Sequence, residues 1–418
     1  MNVRNLLKNA TLATACVALA VTAAMATEVP MSGPVAAGFH PMKHKQDKDK
    51  KAADAVDEVQ LFPKATRKEP KVAASEAMHD KLVQLPKLED AKKYDEMIAL
   101  AQQVAGDAAA NGYDRAIADR AIADAYIDQA DYGKAIGFVQ KALDENALSN
   151  NDQYQMMLQL AQMQVAEDQN GPGIATLDRL IAETGEDKPE YEAQRGIAFY
   201  KSKQYPDAIA AIKKAMAGTD KPKENWARIM VASYSGLNQP QEAARYAEEF
   251  LEKNPGDKDM MLNLSSLYLE DKQPEKAAAV LDDARHRGLL TDEHDYKQLY
   301  SLYGNIKGRE KDSIAVINEG LQKGVLKPDA GLYTTLAQDY YFSGQNDLAI
   351  DAYRKADAAS SDGEAALNLA KIYSLEGRKA EAKTTAELAL RKGVSAPNEA
   401  RVLTGQSNPT PVKPHGKK

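Results

Sequence analysis

Catalysis or metal binding in this chain would have to start from six histidines, one cysteine and a few acidic pairs. His40 and His44 stand four residues apart, the spacing at which two imidazoles on one helix face can share a metal ion. Pro41 lies between them in a segment without helical periodicity, so they read as polar linker residues. His286 and His294 flank a break between helices and read as solvated. Gly171-Pro172-Gly173 lacks the Gly-Lys-Ser/Thr ending of a phosphate-cradling loop and reads as a turn. Neither a Gly-x-Ser-x-Gly elbow nor a His-Glu-x-x-His pair occurs. Glu248-Glu249 and Asp282-Asp283 fall on helical segments and read as outer faces. A single cysteine, Cys16, excludes a disulfide framework and a thiolate zinc fold. The expectation is a protein with no catalytic residue, cofactor or metal.

The elements that would position a binding residue begin after a leader. Arg4 and Lys8 precede an Ala-rich apolar run ending in Ala24-Met25-Ala26, and no acidic residue occurs before Glu28. That order is a secretory signal peptide over residues 1–26, with cleavage before Thr27 and export to the periplasm. The run is short for a retained anchor, and Ala13-Thr14-Ala15 before Cys16 is a poor lipidation motif. Loss of Arg4 and Lys8 would take the net charge from −7 to −9 and leave no cysteine. Later apolar runs fall short of the ~20 residues that span a bilayer. The acidic balance argues against a nucleic-acid partner. Residues 27–74 carry five prolines and almost continuous charge over 43–51, and read as a disordered linker. Its one apolar cluster, Val59-Gln60-Leu61-Phe62, is the part suited to dock in extended form. Residues 405–418 read as a disordered basic tail.

Between linker and tail the chain repeats itself. A small residue, two positions, then an aromatic, followed nine residues on by a small residue, recurs along it. Ala123-x-x-Tyr126 leads to Ala135, Gly196-x-x-Phe199 to Ala208, Ser265-x-x-Tyr268 to Ala277, Ala337-x-x-Tyr340 to Ala349 and Ala370-x-x-Tyr373 to Ala382. Val231-x-x-Tyr234 leads to Ala243, and looser units centre on Met97, Gly173 and Ser313. The nine second-segment anchors lie 33 to 38 residues apart. Within each unit apolar residues recur at three- and four-residue steps on two segments, which is helical periodicity. Turn residues such as Gln129-Ala130-Asp131 and Ser343-Gly344-Gln345 separate the segments.

The pattern resembles the tetratricopeptide repeat (TPR), a helix–turn–helix unit of 34 residues. The resemblance covers residues 90 to 404, lacks the usual early Trp except for a displaced Trp226, and keeps the late Pro only as Pro255. It implies an all-α, right-handed superhelical solenoid of about nine helix pairs over residues 75–404, with residues 75–88 and 397–403 as end covers. In this family a second stripe on each first helix faces the concave groove. The candidate partner-binding residues on it are Tyr200, Arg228, Asn263, Lys297, Thr334, Gln338, Tyr341 and Lys371. Mixed apolar, amide and tyrosine groups suit a protein or peptide surface. The carboxylate clamp of chaperone-binding members is not expected, because Ala232 stands where its paired Asn would be needed.

A narrower resemblance rests on Lys221-Pro222-Lys223-Glu224-Asn225-Trp226, Gly288-Leu289-Leu290-Thr291 and Ser361-Asp362-Gly363-Glu364. Together these look like exported TPR proteins associated with TonB–ExbB–ExbD energy-transduction systems. The function this implies is a non-enzymatic periplasmic scaffold binding a protein or peptide, with TonB/ExbB/ExbD-type components as partners. A general periplasmic adaptor for envelope assembly or cell division is the alternative.

Overall fold

The computed structural model describes residues 60–405, so the leader with Cys16, the His40–His44 pair, residues 27–59 of the linker and the tail beyond Gly405 lie outside the described residues. Nineteen helices and no strand occur among the described residues. They run as nine pairs: α1 (His79–Asp90) and α2 (Tyr94–Ala105); α3 (Gly112–Asp128) and α4 (Tyr132–Asp144); α5 (Asn150–Ala166) and α6 (Asn170–Thr184). Next come α7 (Pro189–Lys201) and α8 (Tyr205–Ala217); α9 (Glu224–Gly236) and α10 (Pro240–Lys253); α11 (Lys258–Glu270) and α12 (Pro274–His286). The last pairs are α13 (Glu293–Asn305) and α14 (Glu310–Gln322); α15 (Ala330–Phe342) and α16 (Asn346–Ala359); α17 (Glu364–Leu375) and α18 (Lys379–Lys392), followed by α19 (Pro397–Thr404). Residues 75–88, expected as an end cover, thus contribute to the first helix of the first pair.

One turn joins the two helices in eight of these pairs. Its middle residue is left-handed: Lys92, Ala130, Asp168, Lys203, Asn238, Lys272, Gly344 and Gly377, with φ between 55° and 77°. The residue after it donates its amide to a carbonyl five positions back, as in Gln239 to Tyr234, Gln273 to Tyr268, Gln345 to Tyr340 and Arg378 to Tyr373. This is the Schellman closure, which satisfies a carbonyl the helix end leaves open. The recurrent aromatic is the residue whose carbonyl receives that bond, which fixes its distance from the second helix. The α13–α14 turn is one residue longer and passes instead through Gly308.

The described residues fall into two compact units, 60–246 and 247–405, and in each the second helix of a pair packs on the first helix of the next. In the first unit the small positions of the motif are fully buried, among them Ala123, Ala135, Ala161 and Ala208. A Cβ on Gly196 would sit 2.6 Å from Ile212 of α8, so the close approach of α7 to α8 needs a residue without one. Residues 60–74 belong to the segment whose composition favours a loose linker. In the structure they lie against this unit, with Phe62 inside its core beside Tyr154, Leu180 and Tyr191. In the second unit Ala337, Ala349, Ala370 and Ala386 are fully buried. The α19 helix covers the free face of α17 and α18, with Ala400 fully buried.

Candidate functional site

The residues named from the first-helix stripe separate into two groups. In the first unit, Tyr200 is half-buried with its ring 6.1 Å from that of Tyr205, and Arg228 is half-buried on α9. In the second unit, Asn263 is half-buried on α11, and the exposed Lys297 pairs with Glu293 one turn earlier at 2.8 Å. Thr334, Gln338 and Tyr341 share one face of α15, and all three are half-buried. Thr334 turns its hydroxyl back to the Ala330 carbonyl at 2.7 Å. Gln338 lies beside the hydroxyl of Tyr353, which is fully buried on α16. Tyr341 makes an edge-on ring contact with Phe342 at 5.7 Å. Lys371 does not join a binding face: it is only 9% exposed, and its Nζ lies 2.7 Å from Glu399 of α19. That pairing fastens the C-terminal cover, so its charge is taken up inside the fold.

Next to this face is a buried carboxyl that the sequence did not single out. Asp339 Oδ2 lies 2.6 Å from the Ser313 hydroxyl, which also lies 3.1 Å from the Tyr300 carbonyl. Burial pushes Asp339 up to about 7, against the bond from Ser313. A serine hydroxyl has one proton, so both contacts are hydrogen bonds when Asp339 is protonated and donates to Ser313. The three residues tie α13, α14 and α15 together. On α14, Glu319 accepts from Tyr296 and Lys323 and pairs with Arg285; burial opposes its charge, but these partners hold it at about 2. The acidic pairs expected on outer faces also have partners here. Glu248 accepts from the Tyr268 hydroxyl, and Asp282 pairs with Arg285.

Among the described residues, a non-helical polypeptide is held along the edge of the first unit, where second helices end and first helices begin. There residues 60–74 run back along the repeats as a strap. Its Leu61 amide donates to Asn151 Oδ1 at 2.9 Å. Phe62 follows, its ring edge-on to Tyr154 at 5.2 Å and under the Lys188 ammonium at 5.1 Å. Pro63 opens a turn that the Ala65 amide closes onto the Phe62 carbonyl. The Thr66 amide and hydroxyl both donate to the Glu183 carbonyl in the last turn of α6.

Arg67 then spreads its guanidinium over four acceptors: Asn146 Oδ1, Asn150 Oδ1, and the carbonyls of Asn146 and Leu148, all within 3.0 Å. Glu69 accepts the Asn150 amide at the start of α5, and Asn150 Nδ2 donates to the Arg67 carbonyl. Farther along, Asn111 Nδ2 donates to the Ala73 carbonyl, and the Ser75 amide donates to Asp114. The strap thus uses groups that helix ends leave open, with its cation beyond the C-terminus of α4 and its carboxylate at the N-terminus of α5. The run Ser149-Asn150-Asn151-Asp152 was the sequence signal for this edge, because two adjacent asparagines at a helix start offer both donors and acceptors.

Among the described residues no cluster of metal-ligating side chains occurs, and no helix is long and apolar enough to cross a membrane. Residues 236–302 match the family model described as tetratricopeptide repeat. No curated protein matches the chain. Among solved structures, a tetratricopeptide repeat protein from Parabacteroides merdae is 16% identical, with 60% of this chain and 99% of that one covered and a TM-score of 0.35. The C-terminal part of a TPR repeat-containing protein from Cytophaga hutchinsonii is 14% identical, covering 67% and 95%, with a TM-score of 0.40. MamA residues 41 to end from Desulfovibrio magneticus is 13% identical, covering 43% and 98%, with a TM-score of 0.37. Residues 236–302 thus resemble the tetratricopeptide repeat, and the Schellman-closed helix pair found within them recurs through the described residues on both sides.

Proposed function

We propose that the chain is a non-enzymatic scaffold, exported to the periplasm, that holds a protein or peptide partner and serves as an accessory of a TonB–ExbB–ExbD-type energy-transduction complex. The observation that carries the binding reading is the strap. The edge of the first unit holds residues 60–74 by bonds to their main chain and to the Thr66, Arg67 and Glu69 side chains, around one buried aromatic anchor. Export is supported by the charged start, the apolar run and the Ala24-Met25-Ala26 exit. The TonB-type assignment is supported by the three inter-repeat motifs alone.

Affinity capture from envelope extract, comparing the unaltered chain with Tyr341→Ala, tests the reading. Recovery of TonB-, ExbB- or ExbD-type components that falls with Tyr341→Ala is the expected result. One feature favours the general adaptor instead: the bonds to the Leu61, Thr66 and Arg67 main chain do not depend on sequence, so partners need share only a few side chains. Recovery of assembly or division factors in place of the energy-transduction components would decide for it.

A further inference from the structure

Between 60 and 69 only Phe62 is buried, Ala65 and Arg67 are half-buried and the others are exposed, although the Thr66 hydroxyl and the Glu69 carboxylate also bond to the helices. The remaining contacts reach the main chain or, through Glu69, a helix N-terminus. Beneath the strap an open cleft of about 300 Å³ remains, lined by Phe62, Pro63, Ala65, Glu69, Asn150 and Asn151. The strap is therefore pinned at Phe62, Thr66 and Arg67 and leaves an open cleft beside the start of α5. Residues 71–73, which lead from it toward α1, are all exposed.

We infer that this edge is a recognition site for segments of the pattern aromatic–Pro–x–small–x–Arg, and that residues 60–69 are its resident, exchangeable occupant. The inference rests on the scaffold reading and names the ligand of one of its faces. The aromatic fills the slot between Tyr154 and Lys188. Proline presets the turn, the small residue clears the α5 edge, and arginine takes the acceptors of Asn146, Leu148 and Asn150. A partner segment of this pattern reuses the same main-chain bonds, so its affinity depends on how often the resident segment is away.

The test uses the full chain carrying Phe62→Ala and Arg67→Ala together, and a labelled peptide of residues 60–70. Saturable binding to this variant, at least tenfold tighter than to the unaltered chain, is expected. It should be lost when the peptide carries the same two substitutions and weakened at least tenfold by Asn150→Ala in the variant. No binding by a variant whose helical spectrum is native overturns the inference, and so does a variant that has lost that spectrum, because the strap is then part of the core. Hydrogen exchange on the unaltered chain is the second measurement. The Leu61 and Thr66 amides should exchange at least tenfold faster than amides inside α5, and equal protection also overturns the inference. A chain that fails here but still captures partners through Tyr341 keeps the scaffold reading and loses only this ligand.

Discussion

Ser313 can satisfy one acceptor as a donor, yet two oxygens lie within its reach. The folded chain therefore keeps a proton on Asp339 that the unfolded chain releases at 3.8, and stability falls as pH rises from about 4 through about 7. Asp339→Asn presents an amide donor to Ser313 at every pH. It should leave stability unchanged near pH 4 and raise it at pH 8 by ~4 kcal/mol. Denaturant titrations at the two pH values check this. Gln338 and Tyr341 belong to the same scale. The buried Tyr353 hydroxyl makes no hydrogen bond to Gln338, so Gln338→Ala should change stability by less than ~1 kcal/mol. Tyr341→Ala should lower the melting temperature little and act on partner capture, read by thermal melts beside the capture assay. The face of α15 was legible from its spacing, but the inward neighbour of Gln338 was not. A half-buried amide serves either side of a helix, and its neighbour Tyr353 comes from another segment.

The helix pair was the most legible element, because small residues and aromatics at fixed spacing answer a packing demand and a turn demand together. What the spacing left open was the backbone of the turn, where six non-glycine residues take a left-handed φ that costs each about 1 kcal/mol relative to glycine. Lys272→Gly should raise the denaturation midpoint by up to ~1 kcal/mol equivalent, and Gly344→Ala should lower it by a similar amount. Opposite shifts, or none, would remove strain as a property of these turns. Gly363 presents a different demand, since a Cβ there would fall 2.2 Å from the Ala389 carbonyl of α18. Gly363→Ala should therefore loosen the last pair and lower thermal stability by ~2 kcal/mol or more. One glycine of the three motifs behind the TonB-type resemblance thus has a sufficient reason in packing. Lys371 was misread for a related cause: its position in the stripe matches a groove residue, but α19 closes over it, and a cover's course cannot be read from the repeat it covers.

At the scale of the whole molecule, composition sorted the chain into leader, linker, body and tail, but it set the inner limit of the linker by proline and charge content. Residues 60–74 share that content and yet dock, because Phe62 finds an apolar slot and Arg67 finds four acceptors that belong to residues 79 to 83 positions later. For the leader, intact mass of protein recovered from cells checks the proposal, with a chain starting at Thr27 as the expected form. The course of the strap has a consequence for how the protein is born. Residues 60–74 are made before the helices that receive them, and their slot is incomplete until Tyr191 has been synthesised. During that interval the segment is the longest-waiting piece of the first unit, exposed to whatever accompanies the emerging chain. Its closure joins residues about 120 positions apart, so the entropy of that loop delays it relative to the local pairing of α1 through α6. A stretch made ahead of α1 thus waits for α7 before its slot is complete.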